Sequence, residues 1–183
     1  NDKIADNGAK KKNPREPTRS ALPIQFKSKI QELSGANSID GEILVIQKSL
    51  TSRDVDDQQG CFFIPSNQIQ QNYRNCLDSD EVAHLKMGED RDDVGEDLFF
   101  LPVICVEPRL KFSLLFLKRW NPNPASGEDS MCYGLTKNWN DIKSRNNLKM
   151  GDVLQLWAVR AGENMWFVLH NLTTAGNETD EEP

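Results

Sequence analysis

The chain has 183 residues, of which 37% are hydrophobic and 27% charged, with a net charge of −6. That length suits one domain of roughly 100–150 residues plus tails, large enough to fold around an apolar core without disulfides or metal. No apolar run approaches the ~20 residues that cross a bilayer and no signal peptide opens the chain, so neither a membrane span nor secretion is expected. The four cysteines, Cys61, Cys76, Cys105 and Cys132, stand far apart with no C-x-x-C pair. They read as reduced thiols in a reducing compartment, which makes the two Asn-x-Thr sequons at Asn171 and Asn177 chance matches.

The acidic total hides a strong asymmetry. Residues 1–33 carry +4, residues 75–97 carry −7, residues 107–149 carry +4 and the last eight residues carry −4. A bound phosphate responds to charge within about a Debye length of 8 Å, so two basic blocks keep a polyanionic partner open.

In chain order, residues 1–23 are polar, basic and proline-containing, too poor in apolar surface to order themselves, and are expected to be a flexible segment: either a plain linker or a nuclear-import or phosphate-contacting tail. A domain is expected over 24–172. It opens with a helical lead-in over 24–36, where Phe26, Ile30 and Leu33 recur at helical spacing before Gly35. "GEILVIQKSL" (41–50) reads as a strand, "TSRDVDDQQG" as a polar loop and "CFFIP" as a short strand. Ser66 is expected to cap a brief helix through Ile69 and Tyr73. An Asp78-x-x-Glu81 capping pattern starts two further helical turns, which run into an exposed acidic loop over 86–97.

Beyond that loop the pattern becomes sheet-like. "LFFLPVICVE" and "KFSLLFLKRW" read as strands joined at Pro108-Arg109, "NPNPASGEDS" (121–130) as a turn-rich loop and "MCYGL" as another strand. A helix with Trp139, Ile142 and Leu148 on its buried side follows. "DVLQLWAV" and "NMWFVLHNL" close the domain, joined by the four-residue connection "RAGE". Residues 173–183 read as a flexible acidic tail. About seven short strands with two or three short helices predict a mainly β fold, a barrel or sandwich.

Catalytic chemistry is poorly supplied. The two histidines, His84 and His170, have no cysteine or second histidine at ligand spacing. There is no G-x-S-x-G elbow, phosphate-binding loop or dinucleotide fingerprint, and "EDRDDVGED" lacks the oxygen spacing of a calcium loop. No enzyme activity, metal, cofactor or small-molecule substrate is expected. Binding chemistry is richer. Lys118, Arg119, Trp120, Asn121 and Asn123 gather cationic, planar and amide groups at the mouth of one loop, where Arg can read guanine, Asn adenine, and Trp can pack on sugar or base. Lys137 and the amides opening the following helix suit a phosphate. Equally, Trp120 can be a lid on the core, and Lys118 and Arg119 a solvated rim.

"YGLTKNWNDIKSRNNLKMGDVLQLW" (133–157) resembles the signature of the plant-specific B-three ("third basic") DNA-binding domain, with its Y-x-L-T-x-x-W, helix and L-x-x-G-D-x-x-x-F/W run. "IQKSLTSRDVDDQQGCFFIPSNQI" resembles that family's K-x-L-x-x-S-D-V and I-P segment, and "FLKRWNPNPASGEDSMCYGL" takes the place of its W-N loop. "KIQELSG" and "FFIPSNQI" are similar to the divergent reproductive-meristem-like and uncharacterised plant branch. The resemblance, over roughly 40–172, implies a seven-stranded open β-barrel (a DNA-binding pseudobarrel) flanked by two or three short helices, whose two loop arms enter the major groove of double-stranded DNA. It implies a nuclear transcription regulator, with other transcription regulators as possible partners.

Carried over by motif position, the first arm runs from Lys48 to Gln59, with Lys48, Thr51, Ser52, Arg53 and Gln59 as contacts. The second runs from Arg119 to Ser130, with Arg119, Trp120, Asn121, Asn123 and Ser126; Lys137 completes the set. The resemblance also makes Trp139, Ile142, Leu148, Val153 and Trp157 core, in a unit that holds the barrel shut and braces the second arm. Two departures point to a second reading, a protein-interaction module that has lost DNA: Cys61 stands where the family often has Arg, and acidic residues enter both arms.

Overall fold

The computed structural model describes residues 21–70, 76–87 and 100–175. The strands are β1 (Asp40–Ser49), β2 (Phe62–Pro65), β3 (Leu101–Val106), β4 (Phe112–Trp120), β5 (Cys132–Lys137), β6 (Val153–Ala161) and β7 (Asn164–Asn171). The α-helices are α1 (Ile24–Ser34), α2 (Ser52–Val55), α3 (Ser79–Lys86), α4 (Trp139–Arg145) and α5 (Leu172–Ala175). The strands form one sheet in the order β1-β6-β7-β3-β4-β5-β2. Neighbours are antiparallel apart from β3 and β7, which run parallel.

The sheet curls into a nearly closed barrel whose edges, β1 and β2, are stitched across the gap rather than paired along it. Gln70 N–H donates to Val45 O at 3.0 Å, and Lys48 Nζ donates to Phe63 O at 2.9 Å. Strand alternation then sorts the side chains. Leu154, Leu156 and Ala158 of β6 and Met165, Phe167 and Leu169 of β7 fill the interior with Phe62, Ile64, Leu115, Leu117, Leu135 and Trp139.

The intervening residues Trp157, Val159, Trp166 and Val168 face outward, yet they are buried beneath Phe26 and Ile30 of α1 in a second core. Trp157 therefore lies under α1 and not in the barrel interior, because β6 is covered on both faces. Leu22 joins that second core, so the ordered body begins before residue 24.

Several local expectations need correction. The loop over 51–60 contains the helical turn α2. The helix expected from Ser66 is a single 3-10 turn, Ser66–Gln68, with Pro65 in the capping position; Tyr73 lies outside the described residues. The loop over 121–130 holds 3-10 turns over Pro124–Ser130, broken at Gly127. The "RAGE" connection shrinks to a two-residue turn, since Arg160 and Ala161 pair with Met165 and Asn164; Gly162 takes the positive φ of 63° that this turn requires. Thr173, expected in the acidic tail, lies in α5 and its hydroxyl oxygen accepts from Val153 N–H at 2.9 Å. The leading segment through residue 20 and the tail beyond 175, both expected to be flexible, and most of the expected acidic loop, 88–99, lie outside the described residues.

Candidate functional site

The first arm, Lys48 to Gln59, is built around one buried carboxylate. Asp54 is fully buried, and its oxygens accept from Thr51 N–H at 2.8 Å, Thr51 Oγ1 at 2.7 Å and Phe63 N–H at 3.0 Å. Lys48 Nζ completes the set at 2.8 Å. Burial alone would push the Asp54 carboxyl up, but the hydrogen bonds from Lys48, Thr51 and Phe63 outweigh it and hold it below the usual range. Lys48, expected as a contact, is thus engaged internally by Asp54 and Phe63 O. Thr51, Ser52, Arg53 and Gln59 remain exposed. A groove of about 540 Å³ runs beside them over the seam, lined by Ser49, Thr51, Ser52, Arg53, Phe63 and Gln68 among others.

Helix α4 grips this first arm from behind. Trp139 Nε1 donates to Asp54 O at 2.7 Å, Asn140 Nδ2 to Asp57 O at 2.9 Å, and Lys143 Nζ to Val55 O and Asp57 Oδ1, both at 2.8 Å. The unit 133–157 was expected to brace the second arm. Its strand β5 does frame that arm's root, but its helix braces the first.

The second arm holds its own shape. Asn121 Nδ2 donates to Gly127 O at 3.0 Å, and Asn121 Oδ1 accepts from Asn123 N–H at 3.1 Å and from the Ser130 hydroxyl. Asn123 Nδ2 donates to Ser126 Oγ at 2.7 Å. Asn123 and Ser126 are exposed, while Asn121 is half-buried. At the root of the arm, Leu115 and Leu117 point inward, so alternation turns Lys118 and Trp120 outward and Arg119 toward the barrel mouth. Arg119 is half-buried with its guanidinium beside the Tyr133 ring, 5.8 Å from its centre. It does not share the outer face with Trp120.

Between the arms lies the outer face of β2, β5 and β4. Phe63 pairs across to Gly134, and Gly134 to Lys118. The Arg53 guanidinium sits 4.3 Å from the centre of the Phe63 ring, and the Trp120 ring meets Phe63 edge-on at 5.8 Å. Gly134 makes this possible: a Cβ there would lie 2.7 Å from Trp120 Cη2 and 2.4 Å from Cys61 Sγ. Cys61 is buried beneath, its thiol pushed up to about 12 by that burial. Lys137 is at the far end of β5 from the second arm, its ammonium 4.4 Å from the centre of the Phe116 ring.

The site therefore brings Thr51, Ser52, Arg53 and Trp120 to one face. Lys48, Arg119 and Asn121 stand behind it in structural contacts. Sequence reasoning missed Phe63, Gly134 and Asp54. The signal for Phe63 was present: on a strand whose neighbours Phe62 and Ile64 face the core, a large aromatic on the outer side needs an explanation.

The family model for a B3 domain-containing protein, At2g31720-like, matches residues 24–173. The chain is 29% identical over 141 residues to B3 domain-containing protein At1g05920 of Arabidopsis thaliana, covering 76% of this chain and 43% of that protein. It is 33% identical over 118 residues to B3 domain-containing protein At3g25182 of the same plant, covering 64% of this chain and 32% of the relative. With B3 domain-containing protein At2g31420, also from Arabidopsis thaliana, it shares 25% identity over 144 residues, 78% of this chain and 64% of the relative. The chain thus spans between about a third and two thirds of the length of these curated relatives. A seven-stranded barrel with two arms, and a family match across nearly all of its described residues, lead to one assignment: the chain belongs to the At2g31720-like family of B3 domain-containing proteins.

Proposed function

We propose that this B3-type domain reads the sequence of double-stranded DNA for a plant transcription regulator in the nucleus, with its two arms entering the major groove. The observation that carries the reading is that both arms border one outer face and converge on Phe63, through Arg53 from one side and Trp120 from the other. On this reading Arg53 addresses a guanine edge, the fork of its guanidinium matching the two acceptors there. The Thr51 and Ser52 hydroxyls and Gln59 contact sugar, phosphate or base beside it. Asn123 and Ser126 do the same on the second arm, whose shape Asn121 maintains. Lys118 and Lys137 supply phosphate contacts, which position the domain without specifying sequence.

The alternative, a module that has exchanged DNA for a protein partner, drew its support from the acids of the arms. In the first arm two of the three are turned inward or tied down: Asp54 is buried against Lys48, and Asp57 is paired with Lys143. That leaves Asp56 and favours DNA. The test is equilibrium binding to a random-sequence duplex pool at low and moderate salt. Binding that falls with salt and is weakened by Arg53→Ala and Trp120→Ala is the expected result. No duplex binding at any salt, with a copurifying protein retained by Arg53→Ala and Arg119→Ala, would transfer the function to the alternative.

A further inference from the structure

Phe63 lies outside both loops, yet its amide, its carbonyl and its ring are all used by arm residues. Its amide donates to Asp54 Oδ1 at 3.0 Å and its carbonyl accepts from Lys48 Nζ at 2.9 Å. Its ring carries the Arg53 guanidinium at 4.3 Å and meets the Trp120 ring at 5.8 Å with the planes inclined by 74°. Its cross-strand partner Gly134 has no side chain, and that gap is where the Trp120 ring lies. Arg53, Phe63 and Trp120 form a continuous line of contact from the first arm to the root of the second.

We propose that Phe63 is a positioning residue that fixes the plane of the Arg53 guanidinium and mechanically couples the two arms, making it a determinant of sequence discrimination that touches no base. The inference rests on the DNA reading above and adds to it. An exposed arginine samples many rotamers, and a base edge accepts its fork only in one plane. A guanidinium that lies against an aromatic ring by its face keeps its in-plane N–H groups for an acceptor pair, and the 4.3 Å from Arg53 to the centre of the Phe63 ring suits that arrangement. Phe63 can impose that plane because it is itself held: the residue is only 8% exposed, and its amide and carbonyl are both hydrogen-bonded to the first arm. Trp120 rests against the same ring, and close-packed groups transmit displacement instead of absorbing it. A base engaged by Arg53 thereby biases the root of the second arm, and the reverse holds by linkage.

The test uses a duplex selected from a random pool by the unchanged chain, together with copies carrying single base-pair changes. Phe63→Leu is expected to lower discrimination between them by roughly three- to tenfold, while affinity for an unselected duplex and its salt dependence stay as they were. Phe63→Tyr keeps the ring and retains discrimination. In the unchanged chain, the combined loss from Arg53→Ala and Trp120→Ala falls short of the product of the single losses by roughly threefold or more; in the Phe63→Leu background the losses multiply. A ligand-free measurement covers the case in which Phe63→Leu fails to fold: Arg53→Ala shifts the Trp120 indole N–H resonance and Gln59→Ala leaves it in place. Undiminished discrimination by folded Phe63→Leu, or an indole signal indifferent to Arg53, overturns the inference alone. An unchanged chain that selects no duplex overturns the DNA reading with it.

Discussion

Asp54 is the residue on which the first arm depends, and its chemistry makes two predictions. Taking away one partner of a buried ion pair strands the other charge, at a cost of about 3–5 kcal/mol. Asp54→Ala should lower the unfolding free energy by that much in a denaturant titration, because Lys48 is then left in the seam with only Phe63 O. Adding Lys48→Met should recover part of the loss, since it removes the stranded ammonium, while the Thr51 and Phe63 amides that Asp54 accepted from still lack that acceptor. The second prediction concerns acid. Burial pushes Glu107 up, but hydrogen bonds from Arg145, Ser113 and Asn146 outweigh it and hold that carboxyl low, as with Asp54. His170 is also held low, by desolvation beside Phe26. In all three the unfolded chain binds protons more readily than the folded one, so stability falls as pH falls. Loss should begin below about pH 6.5 through His170 and resume below about pH 4 through the two carboxyls. Stability measured against pH should show both steps, and His170→Phe should remove only the first.

At the scale of elements, α4 and α1 do work that neither sequence nor strand count announces. Trp139→Phe keeps the buried ring but leaves Asp54 O without its donor, a loss of about 1–3 kcal/mol. Amide exchange should accelerate first over 51–60, the loop of the first arm that α4 holds, and later in β6 and β7; uniform acceleration would show that α4 stabilises only the barrel. Phe26→Ala should cost about 3–5 kcal/mol and shift tryptophan emission to the red as Trp157 and Trp166 become wet. The strands were legible because their apolar residues alternate or run continuously, and "VLQLWAV" carried the mark of a strand buried on both faces. Its second cover was not legible, because nothing in β6 says which distant segment supplies it. The turn at α2 was missed for a similar reason. "SRDV" has no apolar periodicity, and the arm's geometry is set by Asp54 reaching Lys48 and Phe63 and by α4, whose Lys143 lies 86 residues from Asp57.

For the molecule as a whole, the decisive question is which basic residues remain available to a polyanion. The block 107–149 reads in sequence as +4, a count that treats each charge as solvated. The fold assigns several of them elsewhere. Arg145 pairs with fully buried Glu107 at 2.7 Å, Arg109 donates to Arg145 O at 2.9 Å, and Lys143 is tied to Asp57 at 2.8 Å. These three hold α4 against the barrel and the first arm. Arg53 and Lys137 instead keep their cationic ends on the outer face, each over an aromatic ring. Each phosphate neutralised adds about 0.9 to the slope of log affinity against log salt. Arg145→Ala and Lys143→Ala should therefore leave that slope unchanged while lowering the unfolding free energy. Lys137→Ala should reduce the slope by about 0.9 and leave stability nearly as it was. Arg53, if it reads a base instead of a phosphate, should lose discrimination with little change of slope. A slope that responded equally to Arg145 and Lys137 would mean that bound DNA lies across the α4 side of the barrel, and the two arms would no longer define the interface.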